Sequence, residues 1–372
     1  MKYCRNCVLP NTRPSLVIGP DLMCSACSEH GDRPNVAWDA REQDFRAIVE
    51  QAKARHCGYD CLIPVSGGKD STWQVVKALE YGLRPLAVTY RPPGRTPLGQ
   101  VNLDNLVDLG VDHIDFQASP VVERKFMYEA LRRYGSHAIP MHMAIFNIPL
   151  SIAVSFGIPL VLWGENSAVE YGGEDGSGKG FRMSNEWLLK YGVTMGTTAD
   201  DWVGDRLTRE ELTPFFGPDP DSLESLGVLA VFLGHFFAWD PETSLQVAGR
   251  HGFQSRPQGP KTGVYDYADI DDDFMSIHHW LKWYKFGFTR SFDNLSLEIR
   301  NGRMTRNEAI ATLREIGDER PVADIAKLCA YLDISVEHFD EIIEPFRNLD
   351  VWHCDNGVWK IEDFLIPDWR WS

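Results

Sequence analysis

The amino-acid sequence predicts an α/β protein with a doubly wound, mostly parallel sheet. The first observation is an apolar strand pattern at residues 61–65, followed by a glycine-rich turn and a helical pattern over residues 72–81. The second is a series of further apolar, partly β-branched runs at residues 83–90, 111–116 and 158–163, separated by helical stretches. The third is the composition, 44% hydrophobic and 24% charged, which is typical of a folded globular chain.

Three parts are expected along the 372 residues. Residues 1–35 carry paired cysteines and predict a small metal-binding knuckle. Residues 40–300 contain the strand and helix alternation and predict the central α/β domain. Residues 301–372 have helix-like apolar spacing and predict a helical C-terminal appendage.

The charge and hydropathy of the chain exclude several function classes. Lys and Arg number 37 against 53 Asp and Glu, which gives a net charge of -16 and a field that repels phosphate backbones. No apolar stretch reaches the roughly 18 residues that a membrane span needs. The first residues lack the apolar core of a signal peptide. We therefore expect a cytoplasmic protein with no nucleic-acid partner and no membrane span.

The first four cysteines form two Cys-x2-Cys pairs, separated by sixteen residues: Cys4, Cys7, Cys24 and Cys27. Each pair places two sulfurs on one tight turn, so two turns can close a tetrahedron around Zn²⁺. Four thiolates fill that shell, so the predicted zinc is structural. The alternative is four unconnected buried thiols. The remaining cysteines lack such pairing and are expected to be small buried hydrophobic residues: Cys57, Cys61, Cys329 and Cys354.

The turn after the first strand reads Ser66-Gly67-Gly68-Lys69-Asp70-Ser71. Glycines let a backbone approach an anion, the following helix offers unpaired N–H groups, and the hydroxyls and the lysine add donors. This pattern predicts a phosphate site, with an ordinary strand-to-helix turn as the alternative. The turn is not a Walker A loop. The nearest match to that motif lies at residues 173–180, where Gly180 replaces the hydroxyl and Glu174 and Asp175 would repel phosphate, so a flexible loop is expected there.

Ligands of open parallel sheets bind at the carboxyl ends of the strands. Besides the glycine turn, two segments follow predicted strands, namely residues 89–91 and residues 164–166. We therefore expect adenosine near Thr89, Tyr90 and Gly164. Glu165 and Asn166 are expected to face the reacting centre, with a simple turn capped by the asparagine as the alternative.

The sequence SGGKDS after an apolar strand resembles the PP-loop of the N-type ATP pyrophosphatases. That resemblance implies cleavage of ATP between its α- and β-phosphates, with the pyrophosphate held by the loop positions that match the motif: Ser66, Gly67, Gly68, Asp70 and Ser71. It also implies Mg²⁺. We expect Asp70 to coordinate the metal, with a helix-capping role as the alternative, and Lys69 to neutralise phosphate charge.

Further blocks are similar to the N-acetyl sugar amidotransferase family of bacterial surface-polysaccharide and nonulosonate biosynthesis. They are LRPLAVTY, LGQVNLDNLVDLGVDHIDF, VLWGEN with EYGG, and HHWLKWYKFGFTRSFDNLSLEIRNGRMTR. The resemblance implies a cytoplasmic enzyme of lipopolysaccharide or O-antigen synthesis. Such an enzyme adenylates an N-acetyl or carboxylate oxygen of a sugar and replaces it with ammonia-derived nitrogen.

The source of ammonia is expected to be a second protein. Residue 2 is Lys, not the Cys of an N-terminal glutaminase, and no cysteine lies in a nucleophile context. The resemblance implies a separate glutaminase subunit with a companion barrel protein.

The sugar is expected to be carried by a nucleotide or a lipid. Lys282, Lys285 and Arg290 lie close together in an acidic chain and predict a cationic cluster for its diphosphate, although their helix also has the apolar spacing of a core helix. The resemblance further implies that Trp239, at the end of the apolar run 226–240, borders the sugar pocket. Apart from that resemblance, the apolar run is expected to be part of the hydrophobic core.

Two other readings remain at this stage. Some tRNA-thiolating PP-loop enzymes also join a four-cysteine zinc module to a similar loop, but they need further cysteines near the ATP site, and the charge of -16 opposes tRNA. The second reading is a non-catalytic ATPase that uses the knuckle as an interaction module.

Overall fold

The computed structural model describes residues 1–32, 36–55, 58–166, 180–318 and 320–371. The predicted loop at residues 173–179 and Cys57 lie outside the described residues. Within them, the chain forms one five-stranded sheet, helices on both sides of it, and a small C-terminal hairpin.

The sheet consists of β1 (Cys61–Pro64), β2 (Pro85–Tyr90), β3 (Asp112–Phe116), β4 (Leu160–Trp163) and β5 (Leu229–Phe232). Their order is β3-β2-β1-β4-β5 and all neighbouring pairs are parallel. The predicted parallel α/β sheet is thereby confirmed. Its fifth strand lies inside the apolar run 226–240, which the sequence analysis did not divide into elements.

Both faces of the sheet are buried, because successive strand residues point to opposite sides. Leu62, Val88 and Val161 belong to a core that includes the helices after β3. Ile63 and Leu162 belong to a second core on the other face. This explains why the strands read as continuous apolar runs rather than as an alternating pattern.

The helices before β5 are α1 (Ser25–Asp32), α2 (Trp38–Lys53), α3 (Lys69–Glu80), α4 (Pro97–Val107), α5 (Pro120–Tyr134), α6 (Ile139–Phe156), α7 (Asn185–Tyr191) and α8 (Pro220–Ser225). Those after β5 are α9 (Leu233–Phe236), α10 (Pro241–Arg250), α11 (Met275–Phe286), α12 (Arg290–Arg300), α13 (Arg306–Ile316), α14 (Val322–Leu332) and α15 (Val336–Ile343). Three short 3-10 helices cover Ala199–Trp202, Thr213–Phe215 and Glu344–Phe346.

The expectation that no apolar stretch reaches 18 residues was wrong, because α6 is the one described helix that is long and apolar enough to cross a bilayer. Half of that 18-residue stretch is buried inside the fold, and the helix contacts β1, β2 and β4. A central helix of an α/β core passes the same test of length and composition, so this feature is weak evidence for a membrane span.

The N-terminal cysteine segment and the C-terminal region share one core. Cys4 and Cys24 belong to the same buried cluster as Trp283 and Phe364. The Thr12 hydroxyl donates to the carbonyl of Phe286 at 2.6 Å. The C-terminal region contains the expected helices, and in addition an antiparallel hairpin of β6 (Trp352–Asp355) and β7 (Val358–Ile361) that the sequence analysis did not predict. The expected domain boundaries stay a prediction.

One buried carboxyl on α5 makes the stability of the fold depend on pH. Glu123 is 3% exposed, the Tyr331 hydroxyl donates to its Oε2 at 3.2 Å, and burial raises its pKa to about 8. Between the unfolded-state value near 4.5 and pH 8, the folded chain keeps a proton that the unfolded chain releases. Stability therefore falls as pH rises through that window.

We expect Glu123→Gln to be more stable than the parent above pH 8, by on the order of 2 kcal/mol, and equal to it near pH 4.5. Urea unfolding at pH 5 and pH 8.5 measures the difference. Glu129→Gln on the same helix is the matched control, because Arg132 and Arg206 each lie 2.8 Å from that equally buried carboxylate. Its replacement should destabilise the fold. A gain for Glu123→Gln that does not change with pH would contradict the expectation.

Candidate active site

The glycine turn joins the end of β1 to the first residue of α3. Gly67 has a φ of +84°, and a Cβ atom there would lie 2.6 Å from the backbone nitrogen of Leu103. Gly68 precedes the helix and donates its N–H to the Ser66 hydroxyl at 3.2 Å. The turn thus packs tightly on α4 and presents the N-terminus of a twelve-residue helix, whose first N–H groups have no intrahelical partner.

A cleft of about 480 Å³ opens in front of this turn, at the carboxyl ends of the strands. Its polar lining residues include Ser66, Asp70, Ser71 and Glu165. Its lining also contains aromatic rings that a nucleoside can contact: Tyr90, Phe146, Trp163, Trp187 and Phe232. A cleft that combines a helix N-terminus and hydroxyls with aromatic rings can bind an anionic phosphate and a flat base together.

The structure brings six of the expected nucleotide residues to this cleft: Ser66, Asp70, Ser71, Tyr90, Gly164 and Glu165. Gly67 and Gly68 form the backbone of the turn. Two others face elsewhere. Thr89 points to the opposite side of the sheet, where its hydroxyl lies 2.8 Å from Nε2 of His113. Asn166 is buried and accepts the indole N–H of Trp187 at 3.1 Å.

Lys69 is turned away from the cleft toward aromatic side chains. Its ammonium donates to Asp70 Oδ2 at 2.6 Å and lies over the rings of Trp239 and Tyr267. The Trp239 indole N–H donates to Asp70 Oδ1 at 3.0 Å. Trp239 therefore lies beside the glycine turn. It is not among the residues that line the second cleft described below.

Several polar residues that line the cleft were not predicted from the sequence, among them Gln74, Asp271 and Asp272. Gln74 lies one turn after Ser71 on α3, and its buried Oε1 has no hydrogen-bond partner among the described residues. Asp271 and Asp272 come from the loop before α11. The spacing of Ser71 and Gln74, three apart on a helix, was the available signal for Gln74. Nothing local links an aspartate two hundred residues away to the turn.

The carboxylates of the cleft fit a magnesium ion that is shared with phosphates. Asp70 belongs to the turn, and Asp271 lies close enough to the Ser66 hydroxyl for that hydroxyl to lower its pKa. Burial raises the pKa of Asp271 to about 6 and that of Asp272 to about 7, so a nearby cation would favour their charged forms. Mg²⁺ is usually held by one or two carboxylates together with substrate phosphates, which is the set of donors available here.

His142 on α6 supplies a proton acceptor at the edge of the cleft. Its Nδ1 lies 2.8 Å from the carbonyl oxygen of Ala138. A carbonyl only accepts, so Nδ1 carries the hydrogen and Nε2 keeps its lone pair. Burial lowers the pKa of His142 to about 4, so the ring is neutral at pH 7.

A second cleft, of about 370 Å³, lies beside the first and shares Tyr191 and Val193 with it. Lys282 and Lys285 line this second cleft. Arg290 does not line it and instead lies 3.9 Å from Asp293. The four residues predicted to bind substrate are therefore split, with two in the second cleft, Arg290 behind it, and Trp239 at the glycine turn.

The cysteine cluster forms as the spacing predicts. The sulfurs of Cys4, Cys7, Cys24 and Cys27 lie within 4.8 Å of one another, and all four residues are buried. Cys4 and Cys27 sulfurs are 3.9 Å apart, and those of Cys7 and Cys24 are 3.7 Å apart. Sulfurs at the Zn–S distance of about 2.3 Å in a tetrahedron lie about 3.8 Å apart, so the four thiols fit such an ion.

The other described cysteines behave differently from one another. Cys61 and Cys329 are buried, as expected. The prediction that Cys354 is buried was wrong, because this residue lies on the exposed strand β6 of the unpredicted hairpin. A two-stranded hairpin at the surface leaves one face of each strand to solvent.

Comparison with known proteins relates one part of the chain to a family. Residues 262–365 match the family model described as LPS biosynthesis protein WbpG-like, C-terminal domain. This part of the chain is similar to that domain. The WbpG-like segment, residues 262–365, contributes Asp269, Asp271 and Asp272 to the first cleft and Lys282 and Lys285 to the second.

Among curated proteins no relative matches. Among solved structures, the chain is similar to the NMN synthetase from Francisella tularensis, with 14% sequence identity and a TM-score of 0.30. The match covers 77% of this chain and 97% of that one.

Proposed function

We propose that the protein is an AMP-forming sugar amidotransferase of lipopolysaccharide synthesis, which uses ATP to replace a sugar carbonyl or carboxylate oxygen with nitrogen. The observation that carries the proposal is the SGGKDS turn at a helix N-terminus, which borders a cleft lined by both carboxylates and aromatic rings. The WbpG-like segment supports a role in lipopolysaccharide synthesis.

In the first step the substrate oxygen attacks the α-phosphorus of ATP, and the bond to the β-phosphate breaks. Pyrophosphate leaves and an O-adenylate remains. The N–H groups at the start of α3 and the hydroxyl of Ser71 can stabilise the charge that builds on the leaving phosphates. Asp70 and Asp271 are the proposed ligands of magnesium, which, when bound, supplies charge neutralisation on the phosphates.

In the second step neutral ammonia attacks the activated carbon, and AMP leaves with the former substrate oxygen. The attacking nitrogen must lose a proton. His142 is the proposed acceptor, because its Nε2 keeps a lone pair and its ring lines the same cleft. Phosphates bound nearby would raise the pKa of His142 from about 4 toward 7. A higher pKa makes the ring a stronger base.

Ammonia is proposed to come from a separate glutaminase with a companion barrel protein. No cysteine is found among the described residues that line the cleft, so a glutaminase nucleophile is not part of this site. The same observation argues against tRNA thiolation, which needs cysteines close to the adenylate. Zinc is the proposed ion of the four-cysteine cluster, and its role is structural.

The test is product analysis with ATP, Mg²⁺, candidate N-acetylated or uronic nucleotide sugars and an ammonium salt. We expect AMP and pyrophosphate to form in equal amounts, only with sugar and ammonium both present, and a sugar product one mass unit lighter. Glutamine alone should not support turnover by the isolated chain. Release of ADP, or glutamine-driven activity of the pure protein, would defeat the proposal.

The matched variants for this assay are Asp70→Asn and Asp108→Asn. Asp70 lines the cleft, whereas Asp108 is an exposed residue at the end of α4. Loss of a carboxylate that binds metal in the cleft should lower AMP formation by about 100-fold or more, while the distant change should leave it unaltered.

A further inference from the structure

The second cleft has an unusual charge for this protein. Its described lining includes Arg13, Lys190, Lys282 and Lys285 and no acidic residue. The chain as a whole carries a net charge of -16. Four cations that converge on one concave surface of an acidic protein indicate a site for an anion.

A buried carboxylate lies beside these cations. Asp293 is fully buried and lies 2.8 Å from Arg13, 3.3 Å from Lys282 and 3.9 Å from Arg290. These contacts hold the side chains of Arg13 and Lys282, which both line the cleft.

Lys285 is a buried cation of the second cleft. Its ammonium has no carboxylate within ion-pair distance in the described part of the chain. It donates to the carbonyl of Tyr134 at 2.8 Å. Burial lowers the pKa of Lys285 to about 8, and burial together with neighbouring cations does the same for Lys282. A bound anion would favour the charged form of both lysines.

The second cleft also has apolar lining residues. Leu189, Val193 and Met195 are among them, and each is about two-fifths exposed to solvent. Val193 and Met195 also have φ values of +58° and +55°, a conformation that β-branched and bulky residues rarely adopt. Such strain occurs often at ligand-binding sites. A ligand with both an anionic and an apolar part matches this mixed lining.

The second cleft lies next to the nucleotide cleft. Tyr191 and Val193 line both. His278 of the second cleft and His142 of the first have ring centroids only 5.2 Å apart. A molecule held in the second cleft therefore lies close to the nucleotide cleft.

We propose that the second cleft binds the diphosphate of the sugar substrate, with Arg13, Lys282 and Lys285 on the diphosphate, the carrier group on the wall of Leu189, Val193 and Met195, and the sugar passing Tyr191 into the nucleotide cleft. The role of the sugar rests on the proposed function, whereas the diphosphate site does not. Arg13 comes from the cysteine segment, which gives that segment a part in substrate binding.

Calorimetry tests the site with the nucleotide cleft saturated by an α,β-methylene analogue of ATP. The probes are UDP-N-acetylglucosamine, UDP and farnesyl diphosphate. We expect at least one of the diphosphates to bind, and Lys285→Met and Arg13→Met each to weaken it by about tenfold or more. Affinity for the ATP analogue should stay within about twofold. The control is Lys125→Met, which removes an exposed lysine paired with Glu211.

The two carriers are distinguished by the probes. Binding of UDP without farnesyl diphosphate indicates a nucleotide carrier, and the reverse indicates a lipid carrier. No binding of any probe to the parent, unchanged binding in both variants, or an equal loss for probe and ATP analogue would overturn the proposal. Lys285→Met and Arg13→Met change different parts of the chain, so the test still works if one of them misfolds. Thermal unfolding of each variant shows whether it is folded.

The outcomes separate this proposal from the proposed function, because the binding assay involves no turnover. Diphosphate binding that depends on Lys285, in a protein that forms no AMP, would leave the cleft assignment standing and reject the reaction. AMP formation with an unchanged KM for sugar in Lys285→Met would support the reaction and reject the cleft assignment.

Discussion

Replacing Gly67 with alanine is expected to unfold the phosphate turn and abolish nucleotide binding. The new Cβ would lie 2.6 Å from the backbone nitrogen and 2.8 Å from the Cα of Leu103. These are backbone atoms of α4, which cannot rotate away. The residue would also have to keep a φ of +84°. Strain and overpacking of this kind together cost about 3 kcal/mol.

The neighbouring Gly68→Ala is the matched control. Gly68 has an ordinary φ of -69°, and its added Cβ would meet only the side-chain oxygen of Ser66, at 3.2 Å. We expect the free energy of unfolding to change by less than about 1 kcal/mol, because a serine hydroxyl can rotate. Urea unfolding without nucleotide measures stability, and calorimetry with the methylene analogue measures binding. Equal destabilisation by both changes would show that the close approach to Leu103 does not determine the turn.

The turn was predictable because its information is local. A strand, two glycines, hydroxyls and a helix follow one another within twenty residues, and each residue type has its own physical reason to be there. The same holds for the cysteine pairs, whose spacing sets two sulfurs on each turn. Both predictions needed no knowledge of which distant segments come together.

Thr89 shows where a local argument failed although the information was present. The sequence analysis assigned Thr89 and Tyr90 to one site, but successive residues of a strand point to opposite faces. Tyr90 lines the cleft and Thr89 contacts His113 behind the sheet. The period of two along β2 would have separated them.

The remaining site residues could not be found from local patterns. Lys69 turns from the cleft because Trp239 and Tyr267, from later segments, offer rings over which its ammonium lies. Asp271 reaches Ser66 through the loop before α11. The short strand β5 was missed for a related reason, since an apolar run that continues directly into a helix has no clear period.

The cysteine cluster carries the second large expected effect, because it is joined to the helix that bears the cationic cleft. Cys4 and Cys24 share a core with Trp283 of α11. Thr12 donates to Phe286 on the same helix, and the Arg306 guanidinium donates to the carbonyl of Cys7 at 3.0 Å. The segment between the cysteine pairs also supplies Arg13. Loss of the proposed ion should therefore disturb the cleft as well as the knuckle.

We expect Cys24→Ser to lose the metal, about one equivalent per chain in the parent, and to lower the free energy of unfolding by at least about 3 kcal/mol. Metal analysis and thermal unfolding with and without a chelator measure both effects. Cys354→Ser is the matched control, since the same chemical change at an exposed site should alter neither.

The binding assay then separates a local from a general effect. Because the knuckle positions Arg13 but contributes no described residue to the nucleotide cleft, the metal-free variant should lose affinity for the diphosphate probe while the ATP analogue still binds. A Cys24→Ser protein that keeps a full equivalent of metal would reject the four-sulfur site. Equal loss of both ligands would mean that the ion stabilises the whole fold rather than the cationic cleft.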